Sequence, residues 1–121
     1  MLWVILLLGA SGLIGGYAAE RAIVPELQYH PGTPNEVVEI CRQAAIAAAR
    51  THASEMGAQV IRVDAASAGP MRQTRSSQRA PVEVGIVYSR PSGREARQGA
   101  IECRVDRRGQ ATIVDLAAAA R

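Results

Sequence analysis

The chemistry open to this chain rests on a short roster: two cysteines, two histidines and fourteen basic residues, every one of them arginine. The absence of lysine removes Schiff-base chemistry, a phosphate-loop lysine and a catalytic Tyr-x-x-x-Lys pair. Cys41 and Cys103 lie too far apart in sequence for a C-x-x-C redox motif, and two thiolates alone do not build a zinc site. No close His, Cys or carboxylate pattern gives His30 or His52 a metal-ligand partner. Nothing adjacent to His52 completes a triad, so it reads as a half-buried helix residue. Ser76-Ser77 lacks the glycine frame of a nucleophile elbow. With no phenylalanine, one tryptophan and three tyrosines, the chain lacks the aromatics of a base-stacking platform, and nucleic acid is not an expected partner. The expectation is a non-enzyme with no cofactor, no metal and no evident small-molecule substrate.

What the cysteines do depends on the elements that carry them. Thr33-Pro34-Asn35-Glu36 has the form of a capping box with proline at the first helical position, so a helix should begin there. No glycine or proline follows until Gly57, a fitting stop. Val38, Cys41, Ala45, Ala48, His52 and Met56 recur three and four residues apart and define one apolar stripe. Beyond Gly57 the period falls to two. Strands are expected over 60–64, over 82–88 with Val82, Val84, Ile86 and Tyr88 inward, and over 101–106 with Ile101, Cys103 and Val105 inward. Asp106-Arg107-Arg108-Gly109 supplies a turn, with Gly109 where a positive φ is needed, into a fourth strand over 112–116. The fold class is therefore α+β, one long helix on a three- to four-stranded antiparallel sheet whose far face is partly wet.

This arrangement turns both cysteines into the space between helix and sheet. A Cys41–Cys103 disulfide is one outcome, in an oxidising compartment. Two buried thiols packing as small hydrophobes are the other.

Residues 2–19 carry no charge, and as a helix would reach about 27 Å, close to the hydrocarbon thickness of a bilayer. Trp3 and Tyr17 fall near its ends, where amphipathic rings favour the headgroup level. Residues 1–20 thus read as a transmembrane anchor, or as a signal segment cleaved after Ala18. Residues 21–34 follow as a linker, 35–116 as the domain and 117–121 as a tail. Gly9, Gly12, Gly16 and Ala19 share one helical face, on which a neighbouring span could approach closely. Gly9-Ala10-Ser11-Gly12-Leu13-Ile14-Gly15-Gly16 also resembles the opening turn of extended short-chain dehydrogenases. The likeness stops there: the proline-rich stretch from Pro25 to Pro34 stands where the second strand and its ribose-binding residue belong, so a dinucleotide site is not expected.

Pro81-Val82-Glu83-Val84 through Tyr88, then Arg97-Gln98 and Cys103-Arg104-Val105-Asp106-Arg107-Arg108-Gly109, resemble small exported or membrane-anchored bacterial proteins. In outline, a helix followed by strands and a closing hairpin is similar to PepSY-type domains. That resemblance implies a non-enzymatic module near a membrane.

From Arg62 to Arg108 arginines outnumber acids, and six of them gather in two inter-strand loops: Arg72, Arg75 and Arg79, then Arg90, Arg94 and Arg97. Such loops could meet anionic lipid headgroups or an acidic face of another membrane subunit, or could form a solvated surface. The reading is a single-span accessory subunit of a larger membrane complex, respiratory or photosynthetic assemblies being typical hosts. It would pack by its glycine face, with the domain on the periplasmic side. The alternative is an exported, soluble periplasmic binding module released by signal cleavage.

Overall fold

The computed structural model describes residues 26–114. The glycine face of Gly9, Gly12, Gly16 and Ala19 lies outside them, as do the tail and the end of the expected fourth strand. No helix among the described residues is long and apolar enough to cross a membrane. The domain is α+β: helix α1 (Asn35–Met56) lies across a five-stranded antiparallel sheet, one strand more than the upper expectation.

Both ends of α1 fall where the sequence puts them, but the start is built differently. Pro34 is the N-cap in an extended conformation, and no side chain caps the helix. Its carbonyl accepts from the backbone N–H of Val37 and Val38, both at 3.0 Å. Thr33 is instead buried, its Oγ1 donating to the Gly69 carbonyl at 2.8 Å and its N–H to Ser67 Oγ at 3.0 Å. A buried hydroxyl gains more from such a partner than from a helix end that water can satisfy. At the other end Gly57 takes φ +67°, and Ala58 N–H reaches back to the Ala53 carbonyl at 2.8 Å, closing a Schellman turn. The buried face of α1 is Val37, Val38, Cys41, Ala45, Ala49 and Ala53. The stripe therefore continues in steps of four, and Ala48, His52 and Met56 sit half-buried on its flank.

The strands are β1 (Gln59–Ser67), β2 (Arg72–Gln73), β3 (Ser77–Arg90), β4 (Gly93–Asp106) and β5 (Ala111–Val114). Their order is β1-β3-β4-β5, with β2 pairing β3 beyond the end of β1. Strands β3 and β4 form a long hairpin around Pro91-Ser92, in register from Arg90 opposite Gly93 to Ser77 opposite Asp106. Residues 93–100 lack apolar alternation, so period alone does not reveal them as strand. They are extended because the tight turn sets them beside β3.

The core lies between α1 and the inner sheet face, where Ala80, Val82, Val84, Ile86 and Tyr88 of β3 meet Ile101, Cys103 and Val105 of β4. Cys41 and Cys103 are joined by a disulfide at its centre, their Cα atoms 5.9 Å apart. The open choice between bridge and free thiols is thus settled in favour of the bridge.

Ahead of the helix, the chain is pinned to the end of β1. His30 N–H donates to the Ser67 carbonyl at 2.9 Å, and Ser67 Oγ donates to the His30 carbonyl at 2.6 Å. Gly32 takes φ +132° against Pro70, whose Cα would lie 2.4 Å from any Cβ placed there. Ser67 thus ties the end of β1 to two points of the pre-helix segment, His30 and Thr33, through one hydroxyl. Ser67→Ala leaves the Thr33 N–H and the His30 carbonyl unsatisfied, at a cost of about 1–3 kcal/mol in urea unfolding. A loss under about 0.5 kcal/mol, the size of an ordinary surface substitution, would contradict this role.

Candidate functional site

In an antiparallel sheet, residues directly opposite one another share a face. Arg72 on β2 stands opposite Arg79 on β3, and Arg79 stands opposite Arg104 on β4. Three guanidinium groups therefore form one row across three strands, on the sheet face turned away from α1. Like charges directly opposite destabilise a sheet, so the row opposes folding unless something answers it. Glu102, diagonal to Arg79, does so in part. It accepts from Arg104 Nε at 2.8 Å and lies 3.9 Å from Arg79 Nη1. The hydrogen bond from Arg104 holds its carboxyl below the usual carboxylate range. Partial desolvation opposes that, and the charges of Arg79, Arg104 and Arg72 reinforce it. Arg79 Nε is shut off from solvent without a hydrogen-bond partner.

A groove of about 580 Å³ runs beside the row. Its lining includes the charged Arg72, Arg79 and Glu102 and the apolar Ala68, Pro70, Pro81, Ala100 and Val114. Pro81 explains why the groove exists. Proline in a central strand removes a ladder donor and is tolerated only where no partner needs one. It lies between Val82, which pairs with the last residue of β1, and Arg79, which pairs with the first of β2. Here the neighbouring chain leaves the sheet, so no donor is missed. The Pro81 carbonyl still accepts from Ala68 N–H at 3.0 Å, which fixes the departing link.

The six arginines picked out from the sequence do not form two loops. Arg72 and Arg79 join the row. Arg75 stays in the turn between β2 and β3, its carbonyl accepting from Arg107 Nη2 at 2.9 Å beside a shallower hollow of about 330 Å³. Arg90, Arg94 and Arg97 lie in strands, because only Pro91-Ser92 separates β3 from β4. Arg94 is exposed opposite Ser89. Arg90 and Arg97 point to the inner face, where both pair with Glu95, Arg90 at 3.0 Å. Arg104 completes the row and was not singled out from the sequence. Once Pro91-Ser92 is read as the hairpin turn, its register places Arg104 opposite Arg79.

The inner-face cluster surrounds Tyr88, which is fully buried. The Arg97 guanidinium lies 5.9 Å from the centre of the Tyr88 ring, and His52 meets that ring edge-on at 6.2 Å. Arg90 Nη2 contacts Met56 Sδ at 3.1 Å. Tyr88 Oη and His52 Nε2 are both sealed from solvent without a hydrogen-bond partner. Among the described residues no group of three or more His, Cys, Asp or Glu could hold a metal ion, and both cysteines are committed to the disulfide. The arginine row beside the outer groove offers N–H donors suited to an anion.

Burial pushes the Tyr88 phenol above its ordinary value near 10, against the nearby Arg97 charge. A raised folded-state value favours the neutral phenol, so its contribution to stability is complete below about pH 10 and is lost as pH rises beyond it. In an ultraviolet absorbance titration, Tyr88 should ionise only with alkaline unfolding. Tyr88→Phe, which removes an unpaired buried hydroxyl, should leave stability unchanged or raise it. A loss of more than about 1 kcal/mol on that change would show that the hydroxyl has a partner.

No family model, curated protein or solved structure matches the chain, so the reading of this site rests on its geometry.

Proposed function

We propose that this protein is a non-catalytic accessory subunit of a membrane complex, held by its N-terminal apolar segment with the α+β domain on the periplasmic side. The observation that carries this reading is the Cys41–Cys103 bond in the centre of the core. Structural disulfides form and persist in oxidising compartments, and a small domain gains most from one. Residues 2–19, uncharged and long enough to span a bilayer, supply the tether. The arginine row and its groove supply a surface by which the domain could meet an acidic partner. Arg forks suit carboxylates in this way, and rows of them favour association and orientation over raw affinity. The helix-then-strands outline, similar to PepSY-type modules, agrees with a role in binding.

The test is intact mass of the protein purified from its own membranes in mild detergent without reductant, with co-purifying proteins identified. A full-length chain, short of its thiol hydrogens and carrying stoichiometric partners, is the expected result. Free thiols in freshly isolated protein would overturn the periplasmic placement. A chain lacking residues 1–18 and free in the soluble fraction would replace the tethered subunit with an exported module.

A further inference from the structure

The groove on the outer sheet face has a feature that an ordinary solvated surface lacks. It sets a row of three arginines, Arg72, Arg79 and Arg104, next to a row in which Glu102 stands between Pro81 and Val114. Arg72 and Arg79 face each other across two strands, with Arg104 next in the row and Glu102 as the counter-charge. Pro81 and Val114 flank Glu102 and Ala100 lies one row further, opposite Glu83, and these three lining side chains carry no polar atoms. The volume of about 580 Å³ falls within the range of small-molecule sites. A fully polar anion would waste the apolar lining, and a neutral apolar molecule would leave the guanidinium row uncompensated.

We propose that this groove binds the end of an apolar chain that carries a single anionic head, with the head on Arg72 and Arg79 and the chain along Pro81, Ala100 and Val114. Charge complementarity places the head. Two directly opposed guanidinium groups can each donate in parallel to one carboxylate or phosphate, which removes the repulsion between them. Glu102 sets the sign and the limit. It draws Arg104 away through the 2.8 Å hydrogen bond and leaves Arg72 and Arg79 with an excess suited to one negative charge. Arg79 is the pivot, since it adjoins both other arginines and its Nε has no hydrogen-bond partner. Pro81 and Ala100 keep the apolar lining open, because neither places a long side chain over it. A free fatty-acid-like carboxylate and the headgroup region of an anionic lipid share this chemistry. An acidic partner and this anionic head would compete for Arg72 and Arg79, so the proposal replaces the partner contact at the groove and leaves the tether and periplasmic placement of the accessory-subunit reading untouched.

The experiment uses the full 121-residue chain, oxidised and ¹⁵N-labelled, in nanodiscs of zwitterionic phosphatidylcholine, with octanoate as probe. Octanoate should shift the amide signals of Arg79, Ala100 and Val114 saturably. Octanol, which lacks the charge, and acetate, which lacks the chain, should each bind at least tenfold more weakly. Arg79→Gln should weaken octanoate at least tenfold, while Arg50→Gln on the far side of the helix should leave it unchanged. Without ligand, Arg79→Gln should melt no lower than the parent, since it relieves like-charge repulsion, and that readout separates lost binding from lost folding. Arg72→Gln, at an exposed position in β2, provides a second variant expected to weaken octanoate in the same direction. Discs containing phosphatidylglycerol identify the source: the same amides shifting without octanoate would assign the anionic head to a lipid. Octanol or acetate matching octanoate would overturn the proposal. So would unaltered octanoate binding in both arginine variants, or no shift with either octanoate or anionic discs.

Discussion

The bond between Cys41 and Cys103 is the constraint on which the rest of this domain depends. The helix surface it anchors is mostly small, with Ala45, Ala49 and Ala53 beside Val37, and the sheet facing it offers valines, Ile86, Ile101, Ala80 and one tyrosine. Such a core brings backbones close but removes little apolar area per residue, and a domain this small has little to spare. The chain contains no phenylalanine to enlarge it. The disulfide compensates in the unfolded state. It closes a segment of 62 residues that includes most of α1, all of β1, β2 and β3, and the hairpin turn. Alanine also makes the geometry attainable, because it lets the helix approach until the two Cα atoms are 5.9 Å apart. Composition and cross-link are thus two parts of one solution.

With one sheet face given to the helix, the other is left open, and the short β2 shapes it. By leaving the sheet after Ser67 and returning at Arg72, the chain opens a gap at Pro81 and lays Ala68, Gly69 and Pro70 along the groove. The hydroxyls of Ser67 and Thr33 hold the same link from the N-terminal side. Packing energy therefore fixes one face, and a small set of buried polar contacts shapes the other. The inner cluster around Tyr88 is a different case: Glu95 holds Arg90 and Arg97 together beside the core.

Much of the framework can be read from local pattern. The extent of α1, the Gly57 stop and the inward phase of Cys41 and Cys103 follow from periods of 3.6 and 2, which are properties of single elements, whereas periodicity leaves bridge and free thiols equally open. What cannot be read this way depends on register between elements. Thr33 has the spacing of a capping residue, yet a long-range partner at Gly69 claims its hydroxyl. Residues 93–100 look like a loop because their strand state comes from β3, not from their own alternation. For the same reason Arg90 and Arg97 seem part of an exposed basic loop, while Arg104 passes unnoticed beside Cys103. The dipeptide Pro91-Ser92 was the missing key. A turn placed there aligns Arg79 with Arg104 by arithmetic, though β2 and hence Arg72 would still need the structure.

The central claim is that a small-residue core holds this fold only with its cross-link in place. Equilibrium urea unfolding of the oxidised domain, against the same domain with both cysteines replaced by alanine, tests it most directly. Closing a 62-residue segment is worth about 4 kcal/mol in the loop-entropy model, so the Cys41→Ala, Cys103→Ala variant should lose that much or fail to fold. A variant that folds cooperatively within about 1 kcal/mol of the parent, below the usual range for removing a native disulfide, would contradict the account.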